Sequence, residues 1–150
     1  AKAMGMHVAA YDPHVQPSDP AWHGFRNLSL EKLLEVSDVV SLHVPLTDAT
    51  RRMIGPAQFA AMKRGAILVN AARGGVVDEA ALASALRSGR VGGAALDVFE
   101  TEPLTAEAGA VFAGIPNLLL TPHIAGVTEE SNERVSELVA DLVTAHLERA

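Results

Sequence analysis

The chain has 150 residues, of which 49% are apolar, and this suffices for one globular domain with its own core. Its formal net charge of −6 and its scattered lysines and arginines argue against nucleic-acid binding, which needs clustered positive charge. No apolar run approaches the roughly 20 residues of a membrane span, and the lack of cysteine excludes disulfides and thiolate chemistry.

Apolar runs alternate with helical patterns along the chain. Residues 1–5 have the pattern of a last helical turn closed by glycine, and residues 13–27 are predicted as a loop. The predicted strands are residues 6–11, 38–43, 65–70, 91–97 and 118–120. The predicted helices are residues 30–36, 56–62, 79–87 and a long helix that begins after Thr128.

Three of these helices follow a residue that can cap the first turn, namely Ser29, Asp78 or Thr128. The long helix carries apolar residues at spacings of three and four, a pattern that more often faces a core than a partner. The residues on that face are Val135, Leu138, Val139, Leu142, Val143 and His146.

The predicted strands are continuous apolar runs, and this pattern indicates a parallel sheet covered by helices on both faces. We therefore predict an α/β fold, a doubly wound parallel sheet of the Rossmann type. In such a sheet the carboxyl ends of the strands face one crevice. The polar groups at the five predicted strand ends are Asp12, His43, Asn70 with Arg73, Asp97 with Glu102, and His123.

His123 and Glu102 are a candidate acid/base pair. A carboxylate on one ring nitrogen fixes the imidazole tautomer, so the other nitrogen can carry a proton near neutral pH. Without a catalytic role, His123 would be an exposed histidine after a strand and Glu102 a solvated loop acid. Glu100 is a second candidate for the acid of the pair. The remaining histidines lack such a setting, and no pair of histidines has the spacing of a metal site, so no metal is expected.

Arg73 and Asp12 are candidate ligand-binding residues. A guanidinium can hold a carboxylate by two parallel hydrogen bonds, and Gly74 and Gly75 next to Arg73 permit close approach of a ligand. The alternative for Arg73 is a surface salt bridge. An acid in the position of Asp12 can bind the ribose of a dinucleotide, although the residues alone favour an ordinary turn before Pro13.

Five motifs resemble the D-isomer-specific 2-hydroxyacid dehydrogenases, a family that includes phosphoglycerate dehydrogenase and glyoxylate/hydroxypyruvate reductases. They are YDP at 11–13, SLHVPLT at 41–47, VNAARGGVVDE at 69–79, GGAALDVFETEP at 92–103 and TPHIAG at 121–126. The resemblance implies NAD as cofactor, a 2-hydroxy or 2-keto acid as substrate, and a cytoplasmic homodimer. It leaves the identity of the acid open.

The resemblance also implies a role for each candidate residue. Arg73 would bind the substrate carboxylate, His123 would be the general acid/base, and Glu102 would orient it. Asp12 would hold the adenosine ribose, and Asp97 would bind the nicotinamide carboxamide. The other residues that would line the cofactor site, together with Arg73 and His123, are His43, Val44, Pro45, Thr50, Ala71, Ala72 and Gly126.

One family feature is missing, because no G-x-G-x-x-G loop occurs in these 150 residues. We therefore expect residues 1–150 to be a partial NAD-binding domain without its first strand, its glycine-rich loop and the substrate domain. The first strand is central in this fold, so we expect two unpaired inner edges and weak NAD binding by the chain alone. Another chain could fill that gap, or rearranged pairing could close it.

Two other functions share these residues. Some transcriptional corepressors resemble the same family, so an NAD(H)-sensing regulatory module is the main alternative to an enzyme. An oligomerisation segment that uses the apolar face of residues 135–146 is the third possibility.

Overall fold

The computed structural model describes residues 1–148. Six strands follow one another as β1 (Ala9–Ala10), β2 (Arg26–Asn27), β3 (Val39–Leu42), β4 (Ala66–Asn70), β5 (Val91–Leu96) and β6 (Leu118–Leu120). The α-helices are α1 (Leu30–Val36), α2 (Pro56–Ala61), α3 (Glu79–Arg87), α4 (Ala106–Gly109) and α5 (Glu129–Leu147). Single 3₁₀ turns cover Lys2–Met4, Pro20–Trp22 and Ala110–Phe112.

The strands form two parallel sheets within these residues. Strands β3, β4, β5 and β6 lie side by side in chain order, while β1 pairs only with β2. The α/β class and the parallel pairing are confirmed, but the expectation of five strands is wrong, because the described residues form six. Strand β2 lies inside the predicted loop, because two exposed polar residues carry no apolar pattern that would reveal it.

Helices α1, α2 and α3 cover one face of the four-stranded sheet. Each contributes a buried side chain, Leu34, Phe59 and Leu82 respectively, to a core that includes Leu68 of β4 and Leu96 of β5. This layer follows from the apolar stripes of the helices, since burying each such side chain contributes about 1.5–3 kcal/mol.

The opposite face of that sheet is open within residues 1–148. Val39 is 53% exposed, Ile67 37% and Leu119 62%. The expectation of helices on both faces is therefore met on one face only. The apolar face of α5 has a pattern that more often faces a core, but α5 has no buried residue in this structure. The 3.6-residue period of α5 shows that one face is apolar, and it cannot show what covers that face.

The predicted caps are confirmed. The side chains of Ser29, Asp78 and Thr128 accept backbone N–H bonds of 3.2, 2.9 and 3.1 Å at the starts of α1, α3 and α5. Among residues 1–148 we find no helix with the length and apolar character that crossing a membrane requires.

Glycine at position 92 lets two backbone segments lie in close contact. A Cβ atom on Gly92 would overlap the carbonyl oxygen of Gly65, whereas one on Gly93 would lie 3.1 Å from the carbonyl oxygen of Asn117. The two adjacent glycines of β5 therefore differ in how much space they leave.

We expect Gly92→Ala to lower the free energy of unfolding by about 1–3 kcal/mol, because the strand must move away from Gly65. Gly93→Ala is the matched control and should cost clearly less. Urea unfolding of both variants measures the difference, and equal losses would contradict this account of the packing.

Candidate active site

His123 and Glu102 are hydrogen bonded. The Nδ1 atom of His123, which follows β6, lies 2.8 Å from Oε2 of Glu102 in the loop after β5. The other carboxylate oxygen, Oε1, accepts the backbone N–H of Phe99 at 2.9 Å. The rival acid, Glu100, instead pairs with Arg52 at 2.9 Å. Geometry therefore joins Glu102, and not Glu100, to the histidine.

The environment of Glu102 favours its ionised form. The hydrogen bond from Phe99 N–H and then the bond to His123 hold the pKa of Glu102 below its ordinary value. An ionised carboxylate accepts a hydrogen bond from Nδ1–H of the ring, so Nε2 of His123 is the nitrogen left for a proton transfer. The His123 side chain is 50% exposed, and a ligand could therefore reach it.

Asp97 holds the turn that carries His123. Its buried carboxylate accepts the Thr121 hydroxyl at 2.5 Å and the backbone N–H groups of Ile124 and Ala125 at 2.9 Å each. Burial would raise the pKa of Asp97, but these three donors outweigh it and lower that pKa. His123 itself has φ of 57°, an unusual value for a residue other than glycine, and the bonds on both sides support it.

Arg73 lies in a turn that the side chain of Asn70 stabilises. The buried Asn70 amide donates to the Arg73 carbonyl and accepts from the Ala72 N–H, both at 3.1 Å. The Arg73 guanidinium is exposed and donates to the Ala72 carbonyl at 2.6 Å. Among residues 1–148 it forms no salt bridge to a carboxylate, so the surface salt bridge considered for it is absent there.

Gly74 joins the Arg73 turn to the loop of the His123–Glu102 pair. A Cβ atom on Gly74 would overlap the carbonyl oxygen of Phe99, so only glycine allows the two loops to meet here. The sequence predicts that this glycine permits close approach of a ligand. The structure shows that the approaching group is the chain's own backbone.

A cleft of about 340 Å³ opens where β3 and β4 end. Its walls contain six of the predicted cofactor residues, namely His43, Val44, Pro45, Ala71, Ala72 and Arg73. Thr50 supports one wall, because its hydroxyl donates to the Pro45 carbonyl at 2.6 Å. The Nε2 atom of His43 lies 2.9 Å from the Ser41 hydroxyl.

Asp12 and Gly126 are among the five predicted cofactor residues that do not line this cleft. Asp12 follows β1 in the separate two-stranded sheet, and its carboxylate accepts the His14 N–H at 2.8 Å in a local turn. Gly126 lies exposed before α5, where its carbonyl accepts the Ser131 hydroxyl at 2.7 Å. Among residues 1–148, no group of three acids or histidines is placed to hold a metal ion.

Sequence reasoning missed the supporting roles of Asn70 and Thr121. Asn70 was noted at a strand end without a function, although a polar residue that closes a buried apolar strand is a usable signal. Thr121 stands within the TPHIAG motif, but only the fold shows that its hydroxyl reaches Asp97, 24 positions earlier.

A family profile described as D-isomer specific 2-hydroxyacid dehydrogenase, NAD binding domain, matches residues 1–125. The chain belongs to this family. Relatives include a protein named (S)-sulfolactate dehydrogenase from Chromohalobacter salexigens, 53% identical over 95% of this chain and 46% of its own length. A glycerate dehydrogenase from Methylorubrum extorquens is 46% identical over 97% of this chain and 44% of its own length. The chain thus spans less than half of these two dehydrogenases.

Solved structures of the family superpose well on this chain. A D-lactate dehydrogenase from Aquifex aeolicus, complexed with NAD and lactic acid, is 38% identical with a TM-score of 0.84. The matched region covers 98% of this chain and 48% of that enzyme. A glyoxylate reductase from Paecilomyes thermophila is 35% identical with a TM-score of 0.87, and the match covers 98% of this chain and 44% of the reductase. NAD is therefore the cofactor of this dehydrogenase domain.

We expect Asn70→Ala to lower the free energy of unfolding by about 1–3 kcal/mol, because the Ala72 N–H loses its partner beneath the Arg73 turn. Asn27→Ala, which changes an exposed asparagine in β2, is the matched control and should be nearly neutral. Urea unfolding of the two variants decides the point. Equal effects would show that the Asn70 amide contributes nothing to the dehydrogenase domain.

The lowered pKa of Glu102 predicts a pH dependence of stability. A carboxyl group whose pKa is lower in the folded than in the unfolded state stabilises the fold above its unfolded value, about 4.5. That contribution disappears as the pH falls through the folded pKa. We therefore expect Glu102→Gln to flatten the acid limb of a thermal-unfolding series measured from about pH 6 to pH 2. A limb identical to that of the unaltered protein would contradict the assignment.

Proposed function

We propose that this chain is the NAD-binding part of an NAD-dependent oxidoreductase that interconverts a D-2-hydroxy acid and the corresponding 2-keto acid. The observation that carries the proposal is the 2.8 Å contact between His123 and Glu102, next to the turn that presents Arg73. Such a pair supplies the proton transfer that this redox reaction requires.

His123 moves the proton in this proposal. In the direction of reduction, its Nε2–H donates to the keto oxygen of the acid, and in oxidation Nε2 accepts the proton of the hydroxyl group. Glu102 holds the ring through Nδ1 and stabilises the positive charge on the imidazolium form. The nicotinamide, when bound, supplies or receives the hydride at the carbon that carries that oxygen.

Arg73 binds the carboxylate of the acid. A guanidinium forms two parallel hydrogen bonds with a carboxylate and so fixes the orientation of the carbon next to it. The Arg73 side chain is exposed and needs only to leave the Ala72 carbonyl to do this. The same positive charge polarises the neighbouring keto group.

The cleft at the ends of β3 and β4 suits part of a dinucleotide. It is open, and the small side chains of Ala71 and Ala72 in its lining let a ligand come close to the backbone. His43, Val44, Pro45, Ala71 and Ala72 would line the cofactor site, and Thr50 would hold the Pro45 segment in place. We assign Asp12 to the adenosine ribose, Asp97 to the nicotinamide carboxamide and Gly126 to the cofactor site by family likeness.

We further propose that residues 1–150 are a partial NAD-binding domain. Strands β1 and β2 form one sheet, and strands β3 to β6 form another. The two would belong to one larger parallel sheet if a further strand paired with both β1 and β3. A homodimer in the cytoplasm is proposed from the family resemblance alone. The relatives reported above carry enzyme names, which favours catalysis over the NAD(H)-sensing alternative.

Kinetics of the dehydrogenase that contains this chain test the proposal. We expect His123→Asn to lower kcat by about 10²- to 10⁴-fold, because the proton transfer loses its catalyst. Arg73→Ala should mainly raise KM for a 2-keto acid such as hydroxypyruvate or glyoxylate. NADH oxidation, followed by absorbance, measures both constants.

The matched controls are His23→Asn and Arg64→Ala, which change an exposed histidine and an exposed arginine elsewhere in the chain. Both should leave kcat and KM nearly unchanged. Turnover that survives His123→Asn would overturn the assignment of the acid/base group. Failure of the unaltered protein to oxidise NADH with any 2-keto acid would overturn the proposed function itself.

A further inference from the structure

We propose that Glu79 and Arg52 are positioning residues that hold the Phe99–Glu100 segment and thereby keep Glu102 against His123. The inference rests on the proposed function, since it concerns the same acid/base pair. Neither residue touches His123 or Glu102 through a hydrogen bond, so neither is a catalytic residue.

The Phe99–Glu100 segment is held at two consecutive residues. Oε1 of Glu79, the first residue of α3, accepts the backbone N–H of Glu100 at 2.6 Å. The Glu100 carboxylate is bound by Arg52, whose Nη2 atom lies 2.9 Å from Oε2. Nη1 of Arg52 also lies 4.0 Å from the carboxylate of Asp78, the N-cap of α3. The start of α3 is thus linked to this loop by two side chains.

The position of Phe99 decides the position of Glu102. Its N–H donates to Oε1 of Glu102 at 2.9 Å, and its carbonyl oxygen lies against Gly74. Its ring is buried and lies 6.4 Å from the ring of Phe112. Phe99 and Glu100 share a peptide bond, so a shift of Glu100 changes the N–H that Glu102 accepts. Glu79 therefore reaches the acid/base pair through one residue, Phe99.

Arg52 connects the same segment to the Arg73 side of the site. Its backbone N–H donates to the Gly75 carbonyl at 2.7 Å, and Ile54 N–H donates to the Val76 carbonyl at 3.2 Å. Its φ of 50° is unusual for a residue other than glycine, so the arginine side chain is present at some backbone cost. Arg52 thus joins, through its backbone and its side chain, the turn of the proposed substrate carboxylate and the loop of the proposed acid/base pair.

An ordinary helix-start acid would not explain these contacts. Glu129 holds the same position in α5, directly after the N-cap Thr128, and it is exposed. Glu79 is partly buried, and its pKa is raised, first by that burial and against the effect of the Glu100 N–H. A negative charge in this position costs desolvation energy that Glu129 avoids. The contact with Glu100 gives a reason for an acid to stand there.

The test compares Glu79→Ala and Glu79→Gln in the dehydrogenase that contains this chain. We expect Glu79→Ala to lower kcat about tenfold through loss of alignment, with KM for NADH changed by less than about twofold. Glu79→Gln should restore most of the activity, because its amide oxygen can accept the same N–H. Glu31→Ala, which removes an exposed first-turn acid from α1, is the control and should change neither constant.

A second readout does not depend on turnover. Carbon-13 NMR of labelled glutamate follows the ionisation of Glu102, whose pKa is lowered chiefly by the Phe99 N–H. We expect this pKa to rise towards its ordinary value in Glu79→Ala and to stay low in Glu79→Gln. A residue that only stabilises the fold would lower the melting temperature without moving this titration.

The outcomes separate the two proposals. An unchanged kcat together with an unchanged Glu102 titration in Glu79→Ala overturns the positioning role. If the unaltered protein shows no turnover, the proposed function fails, and the titration alone then supports or overturns the contact. If Glu79→Ala does not fold, Arg52→Gly replaces it, because glycine accepts the positive φ and removes the arginine side chain that binds Glu100. A kcat equal to that of the unaltered enzyme in Arg52→Gly would then overturn the proposal.

Discussion

The parallel register of β3 to β6 is the constraint on which the candidate site depends. Leu42 pairs with Asn70, Asn70 with Leu96, and Leu96 with Leu120, so the four strands end in one row. The residues that follow this row must leave the sheet on the same edge, because parallel strands all point one way. The turns of Arg73 and His123 and the loop of Glu102 therefore meet although they are up to 50 positions apart in the chain.

Two buried polar side chains hold the turns that follow this row of strand ends. Asn70 and Asp97 are the buried polar residues among residues 1–148, and each stands where a strand ends. Asn70 fixes the turn that carries Arg73, and Asp97 fixes the turn that carries His123. A buried polar group without partners costs about 1–3 kcal/mol. Each turn therefore keeps the conformation in which the buried Asn70 or Asp97 side chain has its hydrogen-bond partners. The placement of the exposed Arg73 and His123 side chains thus depends on the hydrogen-bonded side chains of Asn70 and Asp97.

The sequence predicted the α/β class, the caps of α1, α3 and α5, and the candidate residues at the strand ends. Periodicity and cap chemistry are local, so a single segment suffices to recognise them. Strand β2 was missed because two exposed polar residues show no hydrophobic periodicity. The open sheet face and the exposed α5 were missed because an apolar pattern does not show which element packs against it. The bond from Thr121 to Asp97 was equally out of reach, since only the register of β5 and β6 brings them together.

The opposite pKa directions of Glu79 and Glu102 follow from the geometry of one segment. Glu79 accepts the N–H of Glu100, and Glu102 accepts the N–H of the preceding residue, Phe99. Glu102 also meets the imidazole of His123, and its pKa is lowered, whereas burial raises the pKa of Glu79 beside the charge of Glu100. The ionised form is thus favoured at Glu102, next to the histidine of the proposed proton transfer. Glu79 is instead a desolvated acid, and we propose that its contact with Glu100 positions the loop more than it stabilises the fold.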